Sequence, residues 1–332
     1  MPLTLIAAHN DNGRRLDRIL RKNLVNLPLS AIHRLLRQGL VRVNGKTAAA
    51  DYRILSGETI TVDSDGPVRQ RNSRIIAAPT AEAPPEILFE DPHILVLNKP
   101  GGLAVHGKNS LEDQVLFYLK EKIPPSLSFR PGPLHRLDKP TSGAIAFSTS
   151  LEGARLFSAL MGAHKIQKTY IALVLGVISK TEIWEDDLVR DRNAGKTITL
   201  RKAAGALDTG EKAKYAFTRV IPLASESSCT LIMAEIKTGR THQIRAQAQA
   251  HGHPLLGDRK YGGDAYPDLA GKSGTNRSKN DAFFLHAACL EFPEDSPFPK
   301  KIEAPLPELF QKKIREIFKK EALKLHHPLF NF

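Results

Sequence analysis

Cysteine is nearly absent from this sequence of 332 residues, which holds only Cys229 and Cys289 and no pair at the two-residue spacing of a redox or metal motif. This scarcity argues against a disulfide framework and a thiolate metal site, and it fits a reducing compartment. Long apolar runs are also missing. No stretch approaches the length of a membrane-spanning helix, and the N-terminus lacks the apolar core of a secretion signal. We therefore expect a cytoplasmic protein that makes no membrane contact.

Acidic residues are scarce relative to basic ones. The chain has 35 Asp and Glu against 48 Lys and Arg, a formal net charge of +13. Surfaces of this sign bind phosphates and release counterions, so the charge predicts a polyanionic partner. The excess is concentrated in residues 1–62, which contain ten Lys and Arg and four Asp and Glu. On charge alone, a basic protein with no nucleic-acid role remains the alternative.

The basic segment 1–62 has the pattern of a small folded domain. Apolar residues recur at helical spacing from Leu16 and again after a predicted cap at Ser30, and Asn44-Gly45 indicates a hairpin. A strand over residues 59–62 closes the unit. With the apolar stripes packed inward, a set of basic side chains should face outward and bind RNA phosphates: Arg14, Arg18, Arg34, Arg37, Arg42 and Lys46. The alternative is a solvated pair of helices that is merely basic.

The rest of the chain divides by composition. Residues 63–85 contain four prolines and few apolar residues, so they predict a linker that lets the two parts move. Residues 86–305 alternate short apolar runs with Gly and Pro, which predicts an α+β domain built on a large sheet. Strands are expected at 94–97, 145–147, 171–175 and 231–236, helices at 111–120 and 151–161, and a long loop at 263–281. Residues 306–332 predict an amphipathic helix and a tail.

The most informative string is HRLDKPTSG at residues 135–143. It places Arg136 and Asp138 two residues apart beside a turn, which is typical of a reactive site. A carboxylate held against an arginine in a cleft keeps its charge. Asp138 is therefore expected to be a nucleophile or a base, and not an acid.

This string resembles the signature of the RluA-type pseudouridine synthases, enzymes that isomerise uridine in RNA. Five further strings in the same order resemble segments of that family: NKPGG at 98–102, KTYIALVLG at 168–176, GRTHQIR at 239–245, GDRKYG at 257–262 and LHA at 285–287. Residues 94–107 and the basic N-terminal part are most similar to the RluC type, which acts on large-subunit ribosomal RNA. The N-terminal part also resembles the small RNA-binding domain of a small-subunit ribosomal protein. One position departs from the family, which commonly has histidine where this chain has Gln247.

The resemblance implies a mixed, largely antiparallel catalytic sheet and a role for each matched residue. Asp138 is the essential carboxylate, either as a nucleophile or as the base that takes the ribose C2′ proton, and Arg245 keeps it ionised through a pair that could be bidentate. Arg136 replaces the stacking of the flipped base, and Tyr170 lies against the uracil. The remaining matches are expected to contact or support the substrate: Lys99, His135, Thr141, Lys168, Arg240 and His242. The family needs no metal and no nucleotide or other cofactor, and nothing in the sequence demands an oligomer.

Other readings compete with this one. Residues 102–109 nearly fit the phosphate-binding loop of nucleotide hydrolases, but Asn109 replaces the Mg²⁺-binding hydroxyl residue. A metal hydrolase could be built from six dispersed residues, although no established ligand spacing links them: His135, Asp138, His242, His251, His253 and Asp258. Without the family, Tyr170 would be a core aromatic and Asp138 a structural ion pair. The more serious competitor is a ribosomal RNA-binding assembly factor without catalysis, which has no need for the Asp138, Arg245 and Tyr170 set.

Overall fold

A four-stranded sheet and an eleven-stranded sheet organise the described residues, together with a short two-stranded sheet. The computed structural model describes residues 2–63, 86–191, 193–200, 212–226, 228–263 and 283–322. The predicted linker, long loop and tail lie almost entirely outside these ranges. We refer to residues 2–63 as the N-terminal unit and to residues 86–322 as the large unit.

The N-terminal unit packs two helices against a four-stranded sheet of order β1-β6-β3-β4. Its elements are β1 Leu3–Ile6, a 3₁₀ turn His9–Asp11, β2 Arg14–Arg15, α1 Leu16–Asn23, α2 Leu29–Arg37, β3 Val41–Val43, β4 Lys46–Thr47, β5 Arg53–Ile54 and β6 Thr59–Val62. The predicted helices, hairpin and final strand are all present. Asn44 and Gly45 both have positive φ, as a two-residue hairpin turn requires. The cap predicted at Ser30 is wrong, because the helix begins one residue earlier and is preceded by Pro28.

The large unit is built on a sheet of eleven strands, with a main path of order β13-β12-β14-β15-β11-β16-β10-β8-β7. Its strands are β7 Ile87–Glu90, β8 Ile94–Lys99, β9 Gly132–Pro133, β10 Ser142–Ser148, β11 Gln167–Leu175, β12 Glu182–Asp191, β13 Lys196–Thr199, β14 Lys214–Glu226, β15 Cys229–Ile236, β16 Leu285–Glu291 and β17 Lys301–Glu303. Its helices are α3 Leu111–Leu119, α4 Leu151–Gly162, α5 Gln243–Ala250 and α6 Glu308–Ala322, with a 3₁₀ turn at Arg259–Tyr261. Among the described strands only β10 and β16 pair in parallel. The expected mixed, largely antiparallel α+β fold is confirmed.

The central strands β10 and β11 are buried along nearly their whole length because both faces of the sheet are covered. One core contains Leu97, Ile145 and Tyr170. On the other face, Phe310 and Ile314 of the C-terminal helix α6 pack against neighbours on β11. Helix α6 is therefore part of the large unit. No helix in the described ranges is long and apolar enough to cross a membrane.

A buried carboxylate is central to the docking of the two units. Asp11 is fully buried and accepts hydrogen bonds from the Ser126 hydroxyl (2.6 Å), the Leu127 N–H (3.0 Å) and both the N–H and hydroxyl of Ser128 (2.7 Å each). Leu127 also packs against the N-terminal core. Each hydrogen bond to a charged group contributes about 1.5–3 kcal/mol. This contact argues against the free relative motion expected from the linker.

Candidate active site

Asp138 lies on the loop between β9 and β10, and backbone contacts fix that loop. The Thr141 N–H donates to the Asp138 carbonyl (3.1 Å), which closes a turn directly after the carboxylate. The next carbonyl, of Lys139, accepts from the Gly102 N–H (2.9 Å) and from Lys99 Nζ (3.0 Å). The loop that carries Asp138 is thus tied to the loop that follows β8.

Gly143 explains the final position of the HRLDKPTSG string. Its φ is +108°, and a Cβ built there would lie 2.2 Å from the carbonyl oxygen of Ala287 on β16. Only glycine fits this approach of two backbones. Next to it, the Ser142 hydroxyl bonds to His286 Nδ1 (2.9 Å), and His286 Nε2 bonds to the Ala304 carbonyl (3.0 Å). The start of β10 is therefore locked to β16 immediately beyond Asp138.

Arg245 reaches Asp138 from helix α5. The helix begins after His242, whose left-handed conformation (φ 54°) turns the chain into it. Arg245 Nη1 donates to Asp138 Oδ2 at 3.0 Å. Its other face binds Asp258, with Nε to Oδ2 at 2.6 Å and Nη2 to Oδ1 at 2.9 Å. The bidentate partner of Arg245 is thus Asp258, and the bidentate pairing considered for Asp138 is wrong.

The surroundings keep Arg245 charged and immobile. Burial opposes the charge, but hydrogen bonds and charges from Asp258 and then Asp138 raise the pKa of Arg245 above its ordinary value. The guanidinium also lies over the rings of Phe283 (4.4 Å) and Tyr261 (4.9 Å). One guanidinium serves two carboxylates, so the ionised Asp258–Arg245–Asp138 set carries a net charge of −1. The surplus negative charge is available at Asp138, whose side chain is 14% exposed, whereas Asp258 is fully buried.

His242 is a neutral neighbour of Asp138. Burial, only partly offset by the charge of Asp138, lowers the pKa of His242 to about 4. The Tyr261 hydroxyl accepts the Thr197 N–H (2.8 Å) and lies 2.9 Å from His242 Nδ1, so it is free to donate to that nitrogen. In the tautomer whose Nδ1 accepts from Tyr261, the ring proton lies on Nε2, which is 3.7 Å from Asp138 Oδ2.

Tyr170 forms another wall of the cavity that contains Asp138. It pairs with Ala234 on β15 and with Ala287 on β16, next to a register shift that leaves Ala288 unpaired. Such bulges redirect side chains beside functional sites. Burial, and then the negative charge of Asp138, raise the pKa of Tyr170, so its hydroxyl keeps its proton.

The cavity, which we call the Asp138 cavity, gathers residues from distant parts of the chain. Its lining includes Arg136, Asp138, Thr141, Tyr170, Ile236, Arg240, His242, Ile244, Arg245 and Leu285. Arg136 and Asp138 also line a larger outer groove that extends to Lys260, Phe310 and Lys312. Arg136 is exposed where the two spaces meet, and Arg240 is exposed at the rim with its Nε bonded to the Tyr215 carbonyl (3.0 Å).

Three residues predicted to contact the substrate do not line the cavity. Lys99 is fully buried, and its three N–H groups reach the carbonyls of Pro100, Leu103 and Lys139. The His135 ring stacks on Phe157, its Nε2 accepts the Ala146 N–H (3.0 Å), and burial lowers its pKa to about 3. Lys168 is buried on β11, and burial, followed by the charge of Arg240, lowers its pKa to about 8. These three side chains lie outside the cavity lining, and direct substrate contact by them stays a prediction.

The remaining sequence expectations fall into two groups. Of the predicted RNA-binding set, Arg18, Arg34, Arg37, Arg42 and Lys46 are exposed and Arg14 is half-buried. Gln247, the departure from the family pattern, is buried and bonds to Thr218, Asp186 and the Trp184 carbonyl. It therefore joins α5 to the sheet and does not enter the cavity.

The rival sites find no support in the geometry. Within the described ranges, no three His, Cys, Asp or Glu side chains cluster closely enough to hold a metal ion. The glycine-rich segment 102–109 follows β8, which is antiparallel to both of its neighbours, and leads into α3, whose first turn is capped by Ser110. A nucleotide-binding loop requires a free helix N-terminus after a parallel strand.

Sequence reasoning missed Asp258, Tyr261 and Phe283 as supports of Arg245. The GDRKYG string contains the first two, so the sequence did point to this segment. Residue spacing alone does not show which acid accepts both the Nε and the Nη2 hydrogen bonds of Arg245.

Comparison with known proteins agrees with this site. A profile described as RNA pseudouridylate synthase matches residues 93–250, and an S4 domain profile matches residues 14–60. The ribosomal large subunit pseudouridine synthase C of Salmonella typhi is 33% identical over 297 residues, covering 86% of each chain. The protein of the same name from Escherichia coli strain K12 is 32% identical over 305 residues, covering 90% of this chain and 91% of its own.

Solved structures resemble this chain over about two thirds of its length. Human RNA pseudouridylate synthase domain containing 4 superposes with a TM-score of 0.55 and 25% identity, covering 69% of this chain and 92% of that chain. Human RNA pseudouridylate synthase domain containing 1 has the same fold, with a TM-score of 0.51 at 22% identity, covering 68% of this chain and 84% of that chain. With the bacterial similarities extending over nearly the whole length, the chain belongs to the RNA pseudouridylate synthase family and is an RNA pseudouridine synthase that carries an S4 domain.

Proposed function

We propose that this enzyme converts specific uridines to pseudouridine in large-subunit ribosomal RNA, with Asp138 as the essential carboxylate. The observation that carries the proposal is the Asp258–Arg245–Asp138 arrangement at the Asp138 cavity, with Tyr170 on the adjacent wall. The substrate class follows the printed names of the bacterial relatives. A binding factor without catalysis has no use for a buried arginine that orients a cavity carboxylate.

The reaction is an isomerisation that needs no redox change and no added group. The bond between N1 and C1′ breaks, the uracil rotates, and a new bond joins C5 to C1′, while C5 loses a proton and N1 gains one. Asp138 has two chemically consistent roles: it attacks the substrate as a nucleophile, or it removes the C2′ proton as a base. The surplus negative charge of its ion-pair set suits both roles.

The cavity walls suit a flipped uracil. Tyr170, Ile236 and Leu285 supply aromatic and apolar surface, and all three are buried. Arg136 stands at the mouth, where its planar guanidinium can take the place of the base that leaves the stack. Thr141 holds the turn after Asp138 and Arg240 borders the rim, so both act at the edge of the substrate.

We further propose a division of labour along the chain. Residues 1–62 bind RNA, residues 86–305 form the catalytic domain, and the helix in residues 306–332 completes the groove beside the cavity. The enzyme acts as a monomer in this proposal. Two buried, unpaired cysteines support action in the cytoplasm.

The decisive experiment compares wild type with Asp138→Asn on unmodified transcripts of large-subunit ribosomal RNA. Wild type is expected to form pseudouridine, and the variant is expected to form none while binding RNA with unchanged affinity. Mapping pseudouridines in cells with and without the gene then identifies the target. If wild type forms no pseudouridine on any large-subunit fragment, the assignment of large-subunit ribosomal RNA as the substrate is overturned. Deuterium at C2′ separates the two roles, because only the base mechanism slows when that proton is replaced.

A further inference from the structure

Helix α6 forms one wall of the outer groove beside the Asp138 cavity. Besides the buried Phe310, four of its side chains line the groove, and their i, i+3, i+4, i+7 spacing places them on one face of the helix: Leu309, Lys312, Lys313 and Glu316. The groove has a volume of about 880 Å³. Clefts of about 300–1,000 Å³ hold drug-sized ligands, which are larger than one base. The groove therefore has room for a ligand beyond the uracil itself.

A series of ring contacts fixes α6 relative to the carboxylate of Asp138. Arg245, which donates to Asp138 at 3.0 Å, has its Cζ 4.4 Å from the centre of the Phe283 ring. The next residue, Phe284, meets the Phe310 ring of α6 edge-on, with 5.3 Å between the ring centres. The groove-lining face of α6 is therefore held at a fixed position beside Asp138.

Positive charge dominates the lining of the groove. On α6, Glu316 pairs with Lys313 at 2.7 Å, so this acid together with Lys312 and Lys313 gives the helix face a net charge of +1. Asp138, the other acid of the lining, is paired with Arg245. Further cations come from the Asp138 loop and from the 3₁₀ turn: Arg136, Lys139 and Lys260. Among the described residues, the structure shows no ion pair for these three or for Lys312. Their charge is therefore available to an anion.

The groove is continuous with the Asp138 cavity, because Arg136 and Asp138 line both spaces. A uridine within an RNA strand carries a phosphate on each side of its ribose. When its base occupies the cavity, the strand passes through the mouth, where the groove begins. Leu309, 79% exposed, and the half-buried Phe284 add apolar surface that an unstacked nucleotide can cover. Lysines beside apolar surface match the two parts of a nucleotide, its phosphate and its base.

We propose that the outer groove holds the nucleotide next to the flipped uridine, with Lys312 of α6 binding a backbone phosphate of that nucleotide. The inference rests on the proposed function for its ligand, and it adds helix α6, which none of the matched strings includes. An exposed lysine serves here as a point charge for phosphate. Because α6 is fixed relative to Asp138, a phosphate held by Lys312 sets the path of the strand. Helix α6 therefore helps to select which uridines reach Asp138.

Salt-dependent binding of the full-length protein to an unmodified large-subunit RNA fragment tests the proposal. Lys312→Gln is expected to bind about two- to fivefold more weakly at about 0.1 M salt, the range of one exposed ion pair. Its log–log salt slope should fall by about 0.7, the value for one phosphate contact on a single strand. Lys312→Arg keeps the charge and should restore both quantities. Lys165→Gln, at an exposed lysine that does not line the groove, should bind as wild type. A wild-type slope in Lys312→Gln overturns the proposal.

A cycle that pairs a protein substitution with an RNA substitution locates the contact. On a fragment that wild type modifies, the phosphates flanking the target uridine are replaced one at a time by neutral methylphosphonates. If Lys312 binds one of them, Lys312→Gln and that replacement together cost less affinity than the sum of the two separate losses. Strictly additive losses at every flanking phosphate place Lys312 on another part of the RNA and overturn the groove assignment.

Failure of this inference and failure of the proposed function give different results. A fragment that binds but is not modified contradicts the proposed function and leaves the salt slope of Lys312→Gln to judge the groove. A Lys312→Gln enzyme that forms pseudouridine and binds with the wild-type slope contradicts the role of α6 alone.

Discussion

Arg245 binds the buried Asp258 through two hydrogen bonds and the cavity residue Asp138 through one. The anchor of the guanidinium is therefore not the group expected to react. Asp258 takes up most of the arginine charge and aims the remaining N–H at Asp138. This division leaves Asp138 oriented but incompletely neutralised, which is the state a nucleophile or a base requires.

Replacing Asp258 should disturb the orientation of Asp138 without weakening RNA binding. In Asp258→Asn, the guanidinium loses its charged anchor and is free to turn both N–H groups toward Asp138. A displacement of the reacting group by about 1 Å lowers the rate by about 10²-fold. Breaking a buried ion pair lowers the free energy of unfolding by about 3–5 kcal/mol. Single-turnover pseudouridine formation, thermal unfolding and RNA affinity measure the three effects. Asp295→Asn, at an exposed acid, is the control, and a wild-type rate in Asp258→Asn contradicts the anchoring role.

The contrast between Asp258 and Asp138 illustrates what sequence can predict. Continuous apolar runs predicted β8, β10, β11 and β15, because strands covered on both faces leave a strong signal. The ten-residue β12 was not predicted, because its buried and exposed residues alternate over much of its length and six of its ten side chains are charged. The resemblance to the synthase family placed Arg245 beside Asp138, but it did not show which of the matched side chains are buried.

Burial is what separates the residues that contact the cavity from those behind it. His135 directly precedes Arg136, yet the His135 ring packs on Phe157 whereas the Arg136 side chain is exposed. Neither adjacency nor motif membership distinguishes the two. The docking of the units was also hidden, because Asp11 and Ser126 are 115 residues apart in sequence.

Tyr170 offers a test of the cavity wall that leaves the fold unchanged. In Tyr170→Phe the ring remains and only the hydroxyl is lost, a group that burial and Asp138 keep protonated. If the hydroxyl moves a proton during the reaction, the rate falls by about 10²-fold while RNA affinity is retained. Single-turnover kinetics and filter binding check the two parts. Tyr215→Phe, at a half-exposed tyrosine of β14, should be neutral, and equal rates for both variants would assign Tyr170 to packing alone.

Gly143 links the signature string to the backbone of β16. In Gly143→Ala the new Cβ would lie 2.2 Å from the Ala287 carbonyl oxygen at a φ of +108°, so β10 and the Asp138 loop must move. We expect a loss of more than about 3 kcal/mol in the free energy of unfolding, or failure to fold, together with loss of activity. Chemical denaturation measures the change. Gly162→Ala, at the end of α4 with nothing within 4 Å of the new Cβ, is the control and should be neutral or stabilising; equal stabilities of the two variants contradict the close approach.

The lowered pKa of His135 should make the free energy of unfolding depend on pH. Burial lowers its pKa from 6.5 to about 3, so between these values the unfolded chain binds a proton that the folded chain cannot. The stability contribution is complete above pH 6.5 and is lost as pH falls toward 3, by up to about 1.4 kcal/mol per pH unit. His135→Gln keeps an acceptor for the Ala146 N–H but cannot be protonated. It should be less stable than wild type near neutral pH, because stacking on Phe157 is lost, and the difference should narrow as pH falls. Urea unfolding at about pH 7 and about pH 4.5 tests this, with exposed His9→Gln as the control. A difference that stays constant with pH would mean that His135 takes up its proton equally well in the folded chain.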